Sequence, residues 1–268
     1  LERRGAIMGI LNATPDSFSD GGAHATAGAA VGHGLRMADE GADILDVGGE
    51  STRPGAGPVT AGEEIRRVIP VIEGLAARCG AAISSDTSKA EVARAALAAG
   101  AEIINDITAL RGDPEMASLA AESGAAVVLM HMRGTPQTMQ ADPRYGDVVR
   151  EVAEFLRGRV AAAMAAGVGA DRIAVDPGIG FGKTAEHNLR LVAGLGEIAA
   201  LGHPVLFGAS RKSFLAAAAG CADINERDAA TAALTALARK SGARVFRVHA
   251  VRANVRALRI AEAVLVAG

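Results

Sequence analysis

Short apolar runs alternate with longer, alanine-rich amphipathic runs from one end of this chain to the other. The apolar runs at 6–11, 43–47, 82–85, 103–105, 126–130, 173–175, 204–207 and 244–248 are too short for helices and read as strands. The runs between them, at 25–40, 61–79, 89–99, 114–123, 148–166 and 184–195, from Arg211, from Glu226, and at 253–266, carry a period near 3.6 residues and read as helices. Such alternation implies a parallel sheet buried on both faces. Eight units in sequence predict an α/β fold: a single (β/α)8 TIM barrel with long βα loops at its C-terminal face. A doubly wound open sheet is the alternative. No composition break divides residues 1–268, which suit one barrel domain of about 250 residues.

Composition narrows the classes of function. The chain is 50% hydrophobic and 22% charged, enough for a large core and a solvated surface. A net charge of -2 gives no global attraction to nucleic acid or to anionic membranes, so neither is expected as a partner. No apolar run approaches the ~18 residues of a membrane-spanning helix. The segment from Leu1 to Gly5 lacks the apolar stretch of a signal peptide. Two isolated cysteines, Cys79 and Cys221, do not form a disulfide framework and suit a reducing cytoplasm.

The polar residues are ordered by position. Nearly every expected strand runs into one: Asn12, Glu50 with Thr52 and Arg53, Asp86, Asn105 with Asp106, His131, Asp176, Ser210 with Arg211 and Lys212, and Arg247 with His249. In a barrel all of these lie at the C-terminal mouth, where ligands bind. Arg53, Arg211, Lys212, Arg247 and His249 form a candidate anion arc; each arginine alone would read as a surface charge. Asp86, Asn105 and Asp176 suit a flat heterocycle with several N–H donors, or a network that ties the mouth together. The connections at 12–24, 48–60 and 131–144 exceed the usual 2–6 residues and read as mobile loops over the mouth. The run from Gly178 to Thr184 imitates a phosphate loop, but Pro177 stands where its first glycine belongs. The histidines show no zinc-ligand spacing with the cysteines. Lys212 fits anion contact at a helix start better than a Schiff base.

Seven segments are similar to those of the dihydropteroate synthase family. They are MGILNATPDSFSDGG at 8–22, DVGGESTRPG at 46–55, SDTSK at 85–89, IND at 104–106, DPGIGFGK at 176–183, SRKS at 210–213 and RVH at 247–249. The resemblance spans nearly the whole chain. It implies a pterin-binding barrel that joins p-aminobenzoate to 6-hydroxymethyl-7,8-dihydropterin diphosphate. Asp86, Asn105, Met130, Asp176 and Lys212 would hold the pterin. Arg247, His249 and Asn12 would face the diphosphate, with Asn12 as the protein ligand of Mg2+. Asp86, Lys212, Arg247 and His249 would be the catalytic set. Thr52, Arg53, Pro54, Phe181 and Ser213 would shape the aminobenzoate pocket, where sulfonamides compete. Asp16, Phe18 and Asp20 would close the first loop. The resemblance also implies a homodimer. Two positions depart from the family pattern: Ala250 stands where an aspartate is usual, and Ser85 where an aliphatic residue is usual. A pterin-dependent methyltransferase domain and a non-catalytic pterin-binding relative are the rival functions, and release of pyrophosphate separates both from a synthase.

Overall fold

The structure, a computed structural model, describes residues 4–14, 22–51 and 57–267, with the side chains of 22–26 left aside. Eight parallel strands form one sheet: β1 (Ala6–Asn12), β2 (Ile44–Gly48), β3 (Ala82–Asp86), β4 (Ile103–Asp106), β5 (Ala126–Met130), β6 (Ile173–Asp176), β7 (Leu206–Phe207) and β8 (Val245–Val248). Their order is β6-β5-β4-β3-β2-β1-β8-β7. The remaining gap is closed by a parallel bridge between Val175 and Val205 and by Val175 N–H donating to the Pro204 carbonyl at 2.9 Å. The sheet is therefore a barrel, and the open doubly wound alternative is excluded.

The helices are α1 (Gly22–Asp39), α2 (Ala61–Ala76), α3 (Ala90–Ala98), α4 (Met116–Ser123), α5 (Val148–Ala165), α6 (Ala185–Ala193), α7 (Leu195–Ala199), α8 (Phe214–Ala219), α9 (Arg227–Lys240) and α10 (Val251–Ala267). Short α7 was not anticipated: the run expected to end at 195 stops at Ala193, and a second helix starts after Gly194. Local chemistry sets several starts. Thr60 caps α2 through Glu63 N–H, Asp147 caps α5 through the N–H groups of Val149 and Arg150, and Thr184 forms a capping box with His187 on α6. Lys89 gives α3 no side-chain cap; Asp113 accepts from Ala90 N–H at 2.9 Å instead.

Strand alternation sorts the side chains into two cores. Outward residues such as Leu11, Leu45, Val47, Ile83, Ile104, Leu129 and Val175 pack with the helices. Inside the barrel, Met8, Ile44, Val128, Leu206 and Val245 form an apolar floor, with Ala82, Ile103 and Ala174 against it. Two residues further along, the same inward positions become Asp46, Ser84, Asn105, Met130, Asp176 and Arg247. The barrel is thus a closed hydrophobic plug at one end and a polar cup at the other.

Candidate active site

The cup is organised around Arg247 on β8. Its Nε donates to Asp46 Oδ2 at 2.6 Å and its NH2 nitrogen to Asp86 Oδ2 at 2.7 Å. Asn105 donates its amide to the same Asp46 oxygen at 3.0 Å. One guanidinium therefore joins β2, β3 and β8, and an amide adds β4. Burial works against the charge on Arg247, yet Asp46 and Asp86 outweigh it and hold its pKa above the usual range. Asp86 is pushed up to about 7, chiefly by burial, with Arg247 opposing the shift and the neighbouring acids Asp46, Glu64 and Asp106 adding to it. Asp46 is fully buried, and its Oδ1 has no hydrogen-bond partner among the described residues.

Asp46 is a residue of the cup that sequence reasoning did not single out. Its signal was present: an acid at the centre of ILDVG, a strand buried at every position. An unpaired charge there would be prohibitively costly, so a partner across the barrel was required.

A second group lies on β6 and the turn after β7. Asp176 accepts from Gly178 N–H at 2.7 Å, and burial raises its pKa against the opposing charge of Lys212. Lys212 donates to the Ile179 carbonyl, and its Nζ lies 4.4 Å from the centre of the Phe181 ring. Burial lowers the pKa of Lys212 to about 7, with Asp176 acting the other way. Phe181 is half-buried and Ser213 is exposed at the head of α8. Met130 is buried beside Met132, Met139, Ile107 and Phe181. On the remaining side of the rim, Ser210 Oγ lies 2.9 Å from His249 Nδ1 and accepts from His249 N–H at 3.1 Å, which fixes the imidazole. Asn12 ends β1, half-buried, opposite Gly48.

The structure thus brings Asp86, Asn105, Met130, Asp176, Phe181, Lys212, Arg247 and His249 to one end of the barrel, with Asn12 and Ser213 at its rim. It corrects one element of the anion arc. Arg211 turns away from the mouth: its Nε and NH2 groups both bond the Asp228 carboxylate at 2.8 Å. Its backbone is left-handed, with φ 58°, and is held there by Thr231 and Arg227. That strain allows Ser210 and Lys212 to serve the rim from either side of Arg211. Thr52, Arg53 and Pro54, and Asp16, Phe18 and Asp20, lie outside the described residues. The roots of the second loop are described: Val59 N–H donates to Glu50 at 3.2 Å, Lys89 bonds both Glu50 and Glu64, and Arg67 donates to the Gly49 carbonyl at 2.9 Å. Ser85 is buried on the helix side of β3, with no partner for its hydroxyl among the described residues.

A barrel whose cup pairs buried carboxylates and an amide with a lysine, beside an arginine and a histidine, defines an enzyme for a flat, hydrogen-bonding heterocycle that carries an anion. The pterin binding enzyme family matches residues 8–249. The dihydropteroate synthase of Streptococcus pyogenes is 48% identical over 255 residues, covering 95% of this chain and 93% of that protein. Among solved structures, dihydropteroate synthase of Xanthomonas albilineans with 4-aminobenzoic acid superposes with a TM-score of 0.92 at 51% identity, covering 98% of this chain and 93% of the other. The same enzyme in complex with 7,8-dihydropteroate gives 0.89 at 48% identity, covering 98% and 94%. The chain belongs to the dihydropteroate synthase family, and it is a transferase.

Proposed function

We propose that this chain joins p-aminobenzoate to 6-hydroxymethyl-7,8-dihydropterin diphosphate, giving 7,8-dihydropteroate and pyrophosphate in folate biosynthesis. The observation that carries the reading is the buried Asp46–Arg247–Asp86 bridge with Asn105 beside it. It puts acceptors for the N–H edge of a pterin and a fixed cation for a departing diphosphate in one cup. Relatives solved with 4-aminobenzoic acid and with 7,8-dihydropteroate support the arylamine substrate and the product.

Asp86, Asn105 and Asp176 hold the pterin edge, with Lys212 on its exposed side and Met130 beneath. The C–O bond at the pterin methylene breaks first, and its electron pair leaves with the diphosphate. The negative charge of Asp86 stabilises the methylene cation, and Arg247 and His249 stabilise the departing anion. The arylamine lone pair then forms the C–N bond, and the nitrogen releases its proton to solvent or to the departed pyrophosphate. Phe181 and Ser213, with Thr52, Arg53 and Pro54, form the arylamine pocket. Asp16, Phe18 and Asp20 close over the mouth and exclude the water that would capture the cation.

No cluster of three or more His, Cys, Asp or Glu side chains suited to a metal occurs among the described residues. The chemistry of the rim, one amide oxygen on Asn12, fits Mg2+ that arrives on the diphosphate and keeps several waters. When bound, that ion neutralises charge on the leaving group. Soluble cytoplasmic placement and a homodimer complete the reading. Two cysteines that form no disulfide agree with a reducing compartment.

The test is pyrophosphate release with Mg2+, dihydropterin diphosphate and p-aminobenzoate. Release that requires the arylamine, falls on chelation of Mg2+ and drops by at least about a hundredfold in Arg247→Ala is expected. Pterin binding without release would establish the non-catalytic relative instead.

A further inference from the structure

Lys183 is a buried lysine that the reaction above does not use. It is 3% exposed and ends the glycine-rich run that imitates a phosphate loop. Its Nζ lies 2.9 Å from each of three acceptors: His131 Nδ1, the Gly178 carbonyl and the Phe181 carbonyl. When protonated, its ammonium has three N–H donors, which these three neutral acceptors match. Burial drives the pKa of Lys183 well below the ordinary lysine value and that of His131 down to about 3, so the imidazole is neutral.

Within the turn that Lys183 closes, the backbone makes one bond of its own, from Phe181 N–H to the Gly178 carbonyl at 3.0 Å. Gly178 and Gly180 lie in the left-handed region, with φ 66° and 83°. Each also permits a close approach: a Cβ on Gly178 would lie 1.9 Å from the His131 carbonyl oxygen, and one on Gly180 would lie 2.7 Å from Lys212 Cδ. Glycine supplies the path but not the restraint. Most of the restraint comes from side chains: Lys183 from within, Asp176 accepting from Gly178 N–H at 2.7 Å, Asn188 accepting from Gly180 N–H at 2.7 Å, and Gln140 donating to the Gly180 carbonyl at 2.7 Å. On its other surface the same turn carries the Ile179 carbonyl and the Phe181 ring that receive Lys212.

We propose that Lys183, seated on His131, is a positioning residue for the reaction: it locks the turn from Gly178 to Phe181 so that Phe181 meets the arylamine in register. The proposal rests on the reading of Phe181 given above. The pterin edge is held by Asp86, Asn105 and Asp176, which stand on strands, and only its exposed side by Lys212, so loss of the lock acts on arylamine capture more than on pterin binding.

The experiment is steady-state kinetics of the whole chain in Lys183→Met, Lys183→Arg, His131→Gln and Lys212→Ala. Lys183→Met is expected to lower kcat/KM for p-aminobenzoate roughly tenfold, while KM for dihydropterin diphosphate changes less than about twofold. His131→Gln keeps an acceptor and is expected to lose only a few-fold, and it serves as the deciding variant should Lys183→Met fail to fold. Lys183→Arg, whose planar fork does not match three converging acceptors, is expected to resemble Lys183→Met. A melting temperature that falls while all kinetic constants hold, in Lys183→Met or in His131→Gln, would reduce the lysine to a stability role and overturn the proposal. An equal loss for both substrates would overturn it as well. Lys212→Ala separates the two levels: unchanged turnover in that variant would bring down the site reading itself.

Discussion

Asp86 has two demands placed on it. In the proposed reaction it must be an anion to steady a methylene cation, yet burial raises its pKa to about 7 from an ordinary 3.8. Arg247, 2.7 Å away, opposes that rise, and a cationic ligand centre would oppose it further. Its protonation is linked to folding. The folded protein binds this proton more tightly than the unfolded chain, so the stability it contributes is full below the ordinary value of 3.8 and is lost as pH rises to about 7. The denaturation midpoint of the wild type, taken relative to Asp86→Asn, is therefore expected to fall between about pH 4 and about pH 7 and then level off. A difference that stays flat across that range would show that the folded-state pKa is not raised. Asp46 and Arg247 were legible at this scale only in part. The sequence marks Arg247 as polar at a strand end, but their 2.6 Å contact links residues 201 positions apart and follows from barrel closure.

Among elements, most boundaries follow from chemistry written within a few residues. The strand β5 falls at 126–130 as expected, because apolar residues fill it and Gly124 precedes it in a left-handed turn. The helix α5 starts at Val148 as expected because Asp147 accepts from two N–H groups of its first turn, at 3.1 and 3.2 Å. Asp147→Ala is expected to cost about 1 kcal/mol of stability. It should lower the melting temperature by about 2–4 °C and leave turnover intact. A melting curve and a pyrophosphate assay on the same preparation check both halves. Other elements were not legible. The break between α6 and α7 falls at Gly194, where an added Cβ would press on Val149 Cγ2 of α5 at 2.7 Å. That restriction comes from a helix distant in sequence. β7 is reduced to Leu206–Phe207 although the apolar run begins at 204, since Val205 makes a single bridge to β6 rather than a ladder. Arg211 was legible as a charge but not in direction, because the strained backbone and Asp228 that turn it outward belong to α9 and the packing around it.

For the molecule as a whole, the barrel gives the site its enclosure and leaves apolar residues outside. Leu237 on α9 and Ile260 and Val264 on α10 are 56%, 67% and 64% exposed. Covering such side chains in a second copy agrees with the homodimer proposed here. Light scattering after size-exclusion chromatography should return twice the chain mass of 27.0 kDa. A single-chain mass at micromolar concentration would remove the dimer from the proposal. The sequence by itself determined the class of fold, because the period of its apolar residues is a local property that eight successive units repeat. It also determined the family and the end of the barrel where chemistry sits, because ordered segments and strand-end residues can be read along one dimension. Tertiary structure alone decided which charges meet. It placed Asp46 under Arg247, sent Arg211 to Asp228, and brought Lys183 from the sixth unit onto His131 of the fifth. These pairings depend on the inward or outward turn of each side chain and on barrel closure. Burial then raises the cost of an unpaired charge until only the observed partners are tolerated.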